Sequence, residues 1–100
     1  MFNKLDESRE LATLVQQEMV ERLRNLDEGV KDLGVKQAPF LVLIGASMPS
    51  VLAEISFLTN ADDAKLLKNG TYRQGVADAL FAAIRTYQTS LARAQTVAER

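Results

Sequence analysis

One acidic side chain, that of Glu54, lies in an otherwise apolar stretch. The stretch reads Val51-Leu52-Ala53-Glu54-Ile55-Ser56-Phe57-Leu58. Because the neighbours of Glu54 are apolar on both sides, we expect its carboxylate to be buried whichever face of the segment it lies on. A carboxylate in such a place is normally paired, hydrogen-bonded or protonated, and a perturbed carboxylate is a candidate general acid or base. The alternative is that Glu54 pairs with a nearby Lys or Arg, or lies on an exposed sheet edge. Spacing alone slightly favours that alternative.

The residue types that the chain lacks restrict its chemistry further. It contains no cysteine and no histidine. This excludes cysteine nucleophiles and thiolate zinc sites, and it removes the commonest general base and the commonest zinc ligand. Ser47 and Ser50 have no histidine partner, which argues against a serine triad. Chemistry performed by this chain alone would depend on carboxylates, lysines, tyrosines or hydroxyls.

The overall composition is that of an ordinary globular domain. The 100 residues are 47% hydrophobic and 25% charged, with a formal net charge of -1. This is enough chain for one small domain, and the charge gives no reason to expect nucleic acid as a partner. No apolar run is long enough to span a bilayer. The first nine residues are polar and charged, so we expect no signal peptide on this chain.

Apolar periodicity predicts three helices. The first covers residues 5–26, with a stripe that recurs every three or four positions. The second covers residues 61–68, where Asn60 is a good N-cap and Asn69-Gly70 is a terminator. The third is long, begins near a capping-box spacing at Thr71, and becomes polar over residues 92–100, which we expect to fray. Its predicted buried stripe consists of Tyr72, Val76, Leu80, Ile84, Tyr87 and Leu91.

Two apolar runs between the first and second helices predict buried β-strands. They cover residues 40–44 and 51–58 and are separated by a turn-like Ser-Met-Pro-Ser connection. The predicted fold class is therefore α/β, in the order helix, strand, strand, short helix, long helix. The two strands could form a hairpin or be neighbours in a wider sheet. Because two buried strands leave open edges, we expect either a fragment of a larger sheet or dimerisation through a sheet edge.

A longer pattern surrounds Glu54. It runs from Pro39-Phe40-Leu41-Val42-Leu43 through Met48-Pro49-Ser50-Val51-Leu52-Ala53-Glu54-Ile55-Ser56-Phe57-Leu58-Thr59-Asn60. Asp63-Ala64-Lys65-Leu66-Leu67 and Tyr72-Arg73-Gln74 follow it, and Ser8-Arg9-Glu10-Leu11-Ala12 precedes it. Across residues 5–91, this order resembles the end of the zinc-dependent N-acetylmuramoyl-L-alanine amidases, cell-wall hydrolases of the amidase type 3 family.

The resemblance implies a role for Glu54 as the catalytic carboxylate that handles protons beside a zinc-bound water. It also implies a six-stranded mixed α/β parent domain of which residues 1–100 form the C-terminal segment, without the N-terminal half. The family binds zinc through two histidines and a glutamate that precede this segment, so we expect zinc in the complete domain and none on this chain. The implied location is periplasmic or extracellular, where peptidoglycan lies.

Two functions follow from these expectations. In the first, the chain is a segment of a peptidoglycan amidase that cleaves the amide between N-acetylmuramic acid and L-alanine, and is inactive by itself. In the second, it is a truncated, catalytically inactive homologue that acts as a binding or assembly module. We do not expect an enzyme complete within these residues, because no nucleophile–base pair or metal site can be assembled from them. In either case we expect self-association through open sheet edges.

Overall fold

The described part of the protein is a pair of long helices with two short ones beside it. A computed structural model describes residues 4–56 and 60–98. Its helices are α1 (Lys4–Arg24), α2 (Leu41–Ile44), α3 (Ala61–Leu67) and α4 (Gly70–Ala98). Glu10 of α1 contacts Ser90 of α4, whereas the other end of α1 lies near the start of α4 at Gly75. The two long helices are therefore antiparallel. None of the described helices is both long and apolar enough to cross a membrane.

Helix α1 confirms the first predicted helix. Val15, Met19 and Leu23 recur at four-residue steps and are buried against α4. Asp6 and Glu7 lie in the first turn and Arg22 and Arg24 in the last, which places each sign of charge where the helix dipole favours it. This apolar stripe packs α1 against α4, and the antiparallel pair formed by α1 and α4 is the helical hairpin.

Helix α4 contributes most of the remaining core. Ala79 and Ala83 are fully buried, and their small side chains allow the backbones of the two helices to approach closely. The stripe prediction is confirmed for Tyr72, Val76 and Tyr87, which are buried, while Leu80 is partly buried. It is wrong for Ile84 and Leu91, which are 48% and 43% exposed. The alanines take the central positions that the prediction gave to larger residues.

Two asparagines begin the last two helices. Asn60 accepts hydrogen bonds from the backbone N–H groups of Asp62 and Asp63 at 3.0 and 3.1 Å, which confirms it as the N-cap of α3. Asn69 does the same for Thr71 and Tyr72 at 2.9 and 3.2 Å. The predicted capping box starting at Thr71 is therefore replaced by a cap at Asn69. Helix α4 continues through Ala98, and fraying of residues 92–100 remains a prediction.

The loop after α1 returns along that helix. Gln16 donates a hydrogen bond to Asp32 at 2.7 Å, and the Gly34 N–H donates to the same carboxylate oxygen at 2.9 Å. These two bonds, with Gln16 the larger contributor, lower the pKa of Asp32 below its ordinary value. Gly34 has φ +81°, a left-handed conformation that favours glycine. The loop is thus held to α1 through polar side chains.

The predicted α/β fold is wrong for the described residues, since they contain no β-strand. Residues 41–44 form the single turn α2, and residues 51–56 have no regular secondary structure; residues 57 and 58 of the second predicted strand lie outside the described part. Leu41, Val42 and Ile44 are 85%, 70% and 60% exposed, so the first run is not buried on both faces.

The physical reason for this difference is hydrogen bonding. A strand satisfies its backbone N–H and C=O groups through a neighbouring strand, whereas a helical turn satisfies them within the segment. The backbone N–H of Gly45 accordingly donates to the Leu41 carbonyl at 2.9 Å. A short apolar run fits either element by periodicity alone. The six-stranded mixed sheet expected for the parent domain therefore has no counterpart in the described residues, and no sheet edge among them supports the predicted self-association.

Candidate functional site

Glu54 projects from a segment that lies on the helical hairpin. Within residues 51–56, Val51 and Ala53 pack against the core, while Leu52 and Glu54 are exposed. Burial alternates over residues 51–54 only, since Ile55 is exposed as well. The expectation that Glu54 is buried is therefore wrong. The Glu54 side chain is exposed, as that of Leu52 is.

The pairing alternative for Glu54 finds no support. Among the described residues, the Glu54 carboxylate makes no hydrogen bond or ion pair. A salt bridge among the described residues joins Arg22 to Glu18 at 3.0 Å, one turn apart on α1. An exposed carboxylate can exchange protons with a substrate or with water, which a carboxylate held in an ion pair does less readily.

The turn that leads to Glu54 is bound to α1 by side-chain hydrogen bonds. The Ser50 backbone N–H donates to Ser8 Oγ at 3.0 Å. The Ser50 hydroxyl donates to the Leu43 carbonyl at 3.4 Å. Ser8 lies in the second turn of α1, 42 positions from Ser50. The bond therefore joins the rigid helix to the residue that begins the Glu54 segment.

Lys4 holds the other part of the same turn. Its Nζ donates to the carbonyls of Leu43 and Ile44 at 3.0 and 3.2 Å, and also to the carbonyl of Ala46. These carbonyls lie at the end of α2, where a helix leaves acceptors unsatisfied and a cation is favoured. Lys4 and Ser8 are four positions apart, and so they lie on one face of α1.

Two grooves lie on the hairpin, and Glu54 lines neither of them. One, of about 440 Å³, is bordered by Asp6, Glu7, Glu10, Ser90, Leu91 and Ala94. The other, of about 500 Å³, is bordered by Arg85, Thr86, Thr89, Ser90 and Arg93. Near the first groove, burial raises the pKa of Tyr87, and the charges of Glu7 and Glu10 raise it further. The Tyr87 hydroxyl is buried and has no hydrogen-bond partner within residues 4–56 and 60–98.

Comparison with known proteins places this arrangement in a family. The profile of the family described as N-acetylmuramoyl-L-alanine amidase (Amidase_3) matches residues 2–86. The chain belongs to this amidase family. The match includes Glu54, the turn before it and both anchoring residues of α1, so the resemblance that the sequence predicts is confirmed.

Individual relatives agree with the family. The chain is 40% identical to the uncharacterized protein YqiI of Bacillus subtilis, over 82% of this chain and 37% of that protein. It is 41% identical to the N-acetylmuramoyl-L-alanine amidase LytC of the same organism, over 73% of this chain and 14% of LytC. It is 40% identical to the N-acetylmuramoyl-L-alanine amidase AmiC of Escherichia coli, over 53% of this chain and 13% of AmiC. No solved structure matches the chain.

The chain thus spans little more than a third of the first of these relatives and about a seventh of the second. The activity, substrate and partners of a whole amidase are accordingly matters for proposal. The family places this segment among cell-wall hydrolases.

The residues of this amidase-family chain do not fit a zinc ion. The sequence contains no histidine or cysteine. Across residues 4–56 and 60–98, no three His, Cys, Asp or Glu side chains are grouped so that they could hold a metal. Zinc in proteins is bound by cysteine, histidine or carboxylate ligands, usually with three or four from the protein. No step of the chemistry below is therefore assigned to a metal on this chain.

Sequence reasoning identified Glu54 but missed Lys4 and Ser8. Their contacts with the Glu54 turn span 39 to 42 positions, and no local pattern reports a contact of that range. The available signal was that Ser8 opens the upstream block of the family resemblance.

Proposed function

We propose that this chain is a segment of a peptidoglycan amidase that cleaves the amide between N-acetylmuramic acid and L-alanine, and that Glu54 is its proton-transferring carboxylate. The observation that carries the proposal is the position of Glu54 within the family match, where its carboxylate is exposed and has no hydrogen-bond or ion-pair partner among the described residues. The amidase relatives support the reaction class.

The chemistry assigned to Glu54 is general base and then general acid catalysis. As a water molecule attacks the carbonyl carbon of the amide, the carboxylate accepts the proton that the water loses. The resulting carboxylic acid then donates this proton to the nitrogen of the leaving L-alanine as the C–N bond breaks. Glu54 ends the cycle ionised, so protons balance. A carboxylate in this role contributes typically about 10²–10⁴-fold to the rate.

Zinc enters the proposal only as a requirement on the rest of the enzyme. The family resemblance implies it, and within residues 4–56 and 60–98 no fitting set of ligands is grouped. We therefore expect the 100-residue chain alone to be inactive. Peptidoglycan lies outside the cytoplasmic membrane, and the cell-wall relatives support a periplasmic or extracellular place of action.

The test is Glu54→Gln in a complete amidase domain that contains this chain. The amide keeps the size of the side chain and cannot accept the proton, so kcat should fall by about 10²-fold or more with zinc content unchanged. Glu21→Gln, the same change at an exposed position of α1, is the matched control and should retain full activity.

Two outcomes would contradict this role. Turnover by Glu54→Gln within tenfold of the parent would show that the carboxylate carries no essential proton. Loss of zinc together with activity would assign Glu54 to metal binding instead. Cleavage of muropeptides by the 100-residue chain itself would contradict the expectation that the site is incomplete.

The second candidate is a catalytically inactive homologue that acts as a binding or assembly module. The observation that favours it is the exposure of Leu41, Val42 and Ile44, since contiguous exposed apolar side chains commonly mark a protein contact. Reading the coding sequence before Met1 separates the two candidates. A histidine-containing amidase half in frame supports the enzyme, whereas a start codon with no such half supports the module.

A further inference from the structure

The exposure of Glu54 depends on the register of its segment, that is, on which of residues 51–55 face the core. The sequence of the segment does not define this register. Val51, Leu52, Ala53 and Ile55 are all apolar, so either set of alternating residues could face the core. Burial alternates over residues 51–54, so a slip by one position would bring Glu54 toward the core in place of Ala53. In the structure Val51 and Ala53 face inward. Something outside the segment must select this register.

The hydrogen bond from the Ser50 N–H to Ser8 Oγ is placed to make that selection. This bond fixes Ser50, the residue immediately before Val51, at a defined position along α1. Four residues of extended chain cover at most about 14 Å, so Ser50 determines within a short reach where Glu54 lies. Lys4, which lies one helical turn before Ser8 on α1, binds the carbonyls of Leu43 and Ile44. The turn is therefore bound at both ends.

We infer that Ser8 is a positioning residue for Glu54: its hydroxyl sets the register of residues 50–54 so that the Glu54 carboxylate is exposed. This inference rests on the proposed function of Glu54. Ser8 does not touch the substrate, and it acts through the Ser50 backbone. Catalysis is sensitive to such placement, since a displacement of about 1 Å can cost about 10²-fold in rate.

The first experiment reads the bond directly and needs no activity. Hydrogen exchange of the Ser50 amide is measured by NMR in the 100-residue chain, in Ser8→Ala and in Ser8→Thr. Because a hydrogen bond of this kind contributes modestly, Ser8→Ala should accelerate exchange about two- to tenfold, whereas Ser8→Thr keeps the hydroxyl and the slow rate. Thr13→Ala is the control, since the Thr13 hydroxyl bonds only within α1, to the Arg9 carbonyl. Unprotected exchange of the Ser50 amide in the parent chain would overturn the inference.

The second experiment asks whether Ser8 acts through Glu54. In a complete amidase domain, Ser8→Ala should lower kcat about two- to tenfold and leave KM unchanged, and Ser8→Thr should restore kcat. Added to Glu54→Gln, Ser8→Ala should produce no further loss, because the group that it positions is already absent. An equal further loss in that background would mark Ser8 as merely structural and overturn the inference.

The two proposals fail in distinguishable ways. If Glu54→Gln remains active, the proposed function fails, whatever the exchange rate of the Ser50 amide. If Glu54→Gln is inactive while Ser8→Ala keeps the parent kcat, the proposed function stands and the positioning role of Ser8 is refuted.

Discussion

Replacing Leu23 and Leu41 by alanine compares one chemical change at two positions that the structure places very differently. Leu23 is 4% exposed, in the core between α1 and α4, whereas Leu41 is 85% exposed on α2. A buried strand over residues 40–44 would instead cover Leu41. The pair of variants therefore tests where the apolar side chains of this chain are buried.

The expected cost at Leu23 follows from its surroundings. Replacing a buried leucine by alanine costs about 2–5 kcal/mol of stability, with the larger values where the surrounding side chains cannot fill the cavity. Leu23 packs against Gly75, which has no side chain to fill the space, while the partly exposed Leu26 lies close enough to move inward. We place Leu23→Ala near the middle of the range, at about 3 kcal/mol. Leu41→Ala removes little buried surface and should stay within about 0.5 kcal/mol.

Urea unfolding followed by circular dichroism at the helix band measures both variants. A domain of this size has about 5–15 kcal/mol of stability in total, so Leu23→Ala should remove a large part of it and lower the midpoint by about 1.5 M. Leu41→Ala should leave the midpoint unchanged. A loss at Leu41 as large as that at Leu23 would refute the reasoning, since it would show that residues 41–44 are buried in the folded chain.

Two further predictions concern a buried hydroxyl and a helix cap. Tyr87→Phe removes a buried hydroxyl that has no hydrogen-bond partner in the described part of the chain, so at pH 7 the free energy of unfolding should stay the same or rise by up to about 1 kcal/mol. Burial raises the pKa of Tyr87 above its ordinary 10.0, so the parent loses stability as the pH rises from about 10 through the folded-state pKa. The phenylalanine variant should lose less stability over that pH range. A cost above about 1.5 kcal/mol at pH 7, measured by urea unfolding, would show that the hydroxyl has a hydrogen-bond partner after all. Asn60→Ala should cost about 1 kcal/mol and speed amide exchange at Asp62 and Asp63, whereas unchanged exchange there would rule out the cap.

The helices were predictable because their signals are local. The stripe of α1 and the cap at Asn60 can be read within a few positions of sequence, and both are confirmed. The stripe of α4 was only partly right because the prediction weighted large apolar side chains. Helices that approach closely need small residues at the contact, and Ala79 and Ala83 supply them while Ile84 stays outside. A count of large side chains does not register that requirement.

The predicted strands failed for a reason that is not local. Residues 40–44 are short and uniformly apolar, and such a run does not distinguish a strand from a helical turn. What decides between them is whether a neighbouring strand is present to receive the backbone hydrogen bonds. Within the described residues none is, and Lys4, far away in sequence, instead binds the carbonyls at the end of α2. The burial of Glu54 is mispredicted for a similar reason. Its neighbours are all apolar, so the sequence does not show which of them face the core.

The register of the Glu54 segment also sets the direction from which a substrate must come. Val51 and Ala53 are partly buried against the hairpin, so the surface between them and the two helices is not open to a ligand. If Glu54 transfers the proton, the reacting amide and everything that activates it must approach from the solvent, to which Glu54 and Leu52 are both exposed. The hairpin then serves as a rigid support behind the carboxylate. A polar group at position 52 should accordingly affect substrate binding before it affects folding, while a large side chain at position 53 should do the reverse.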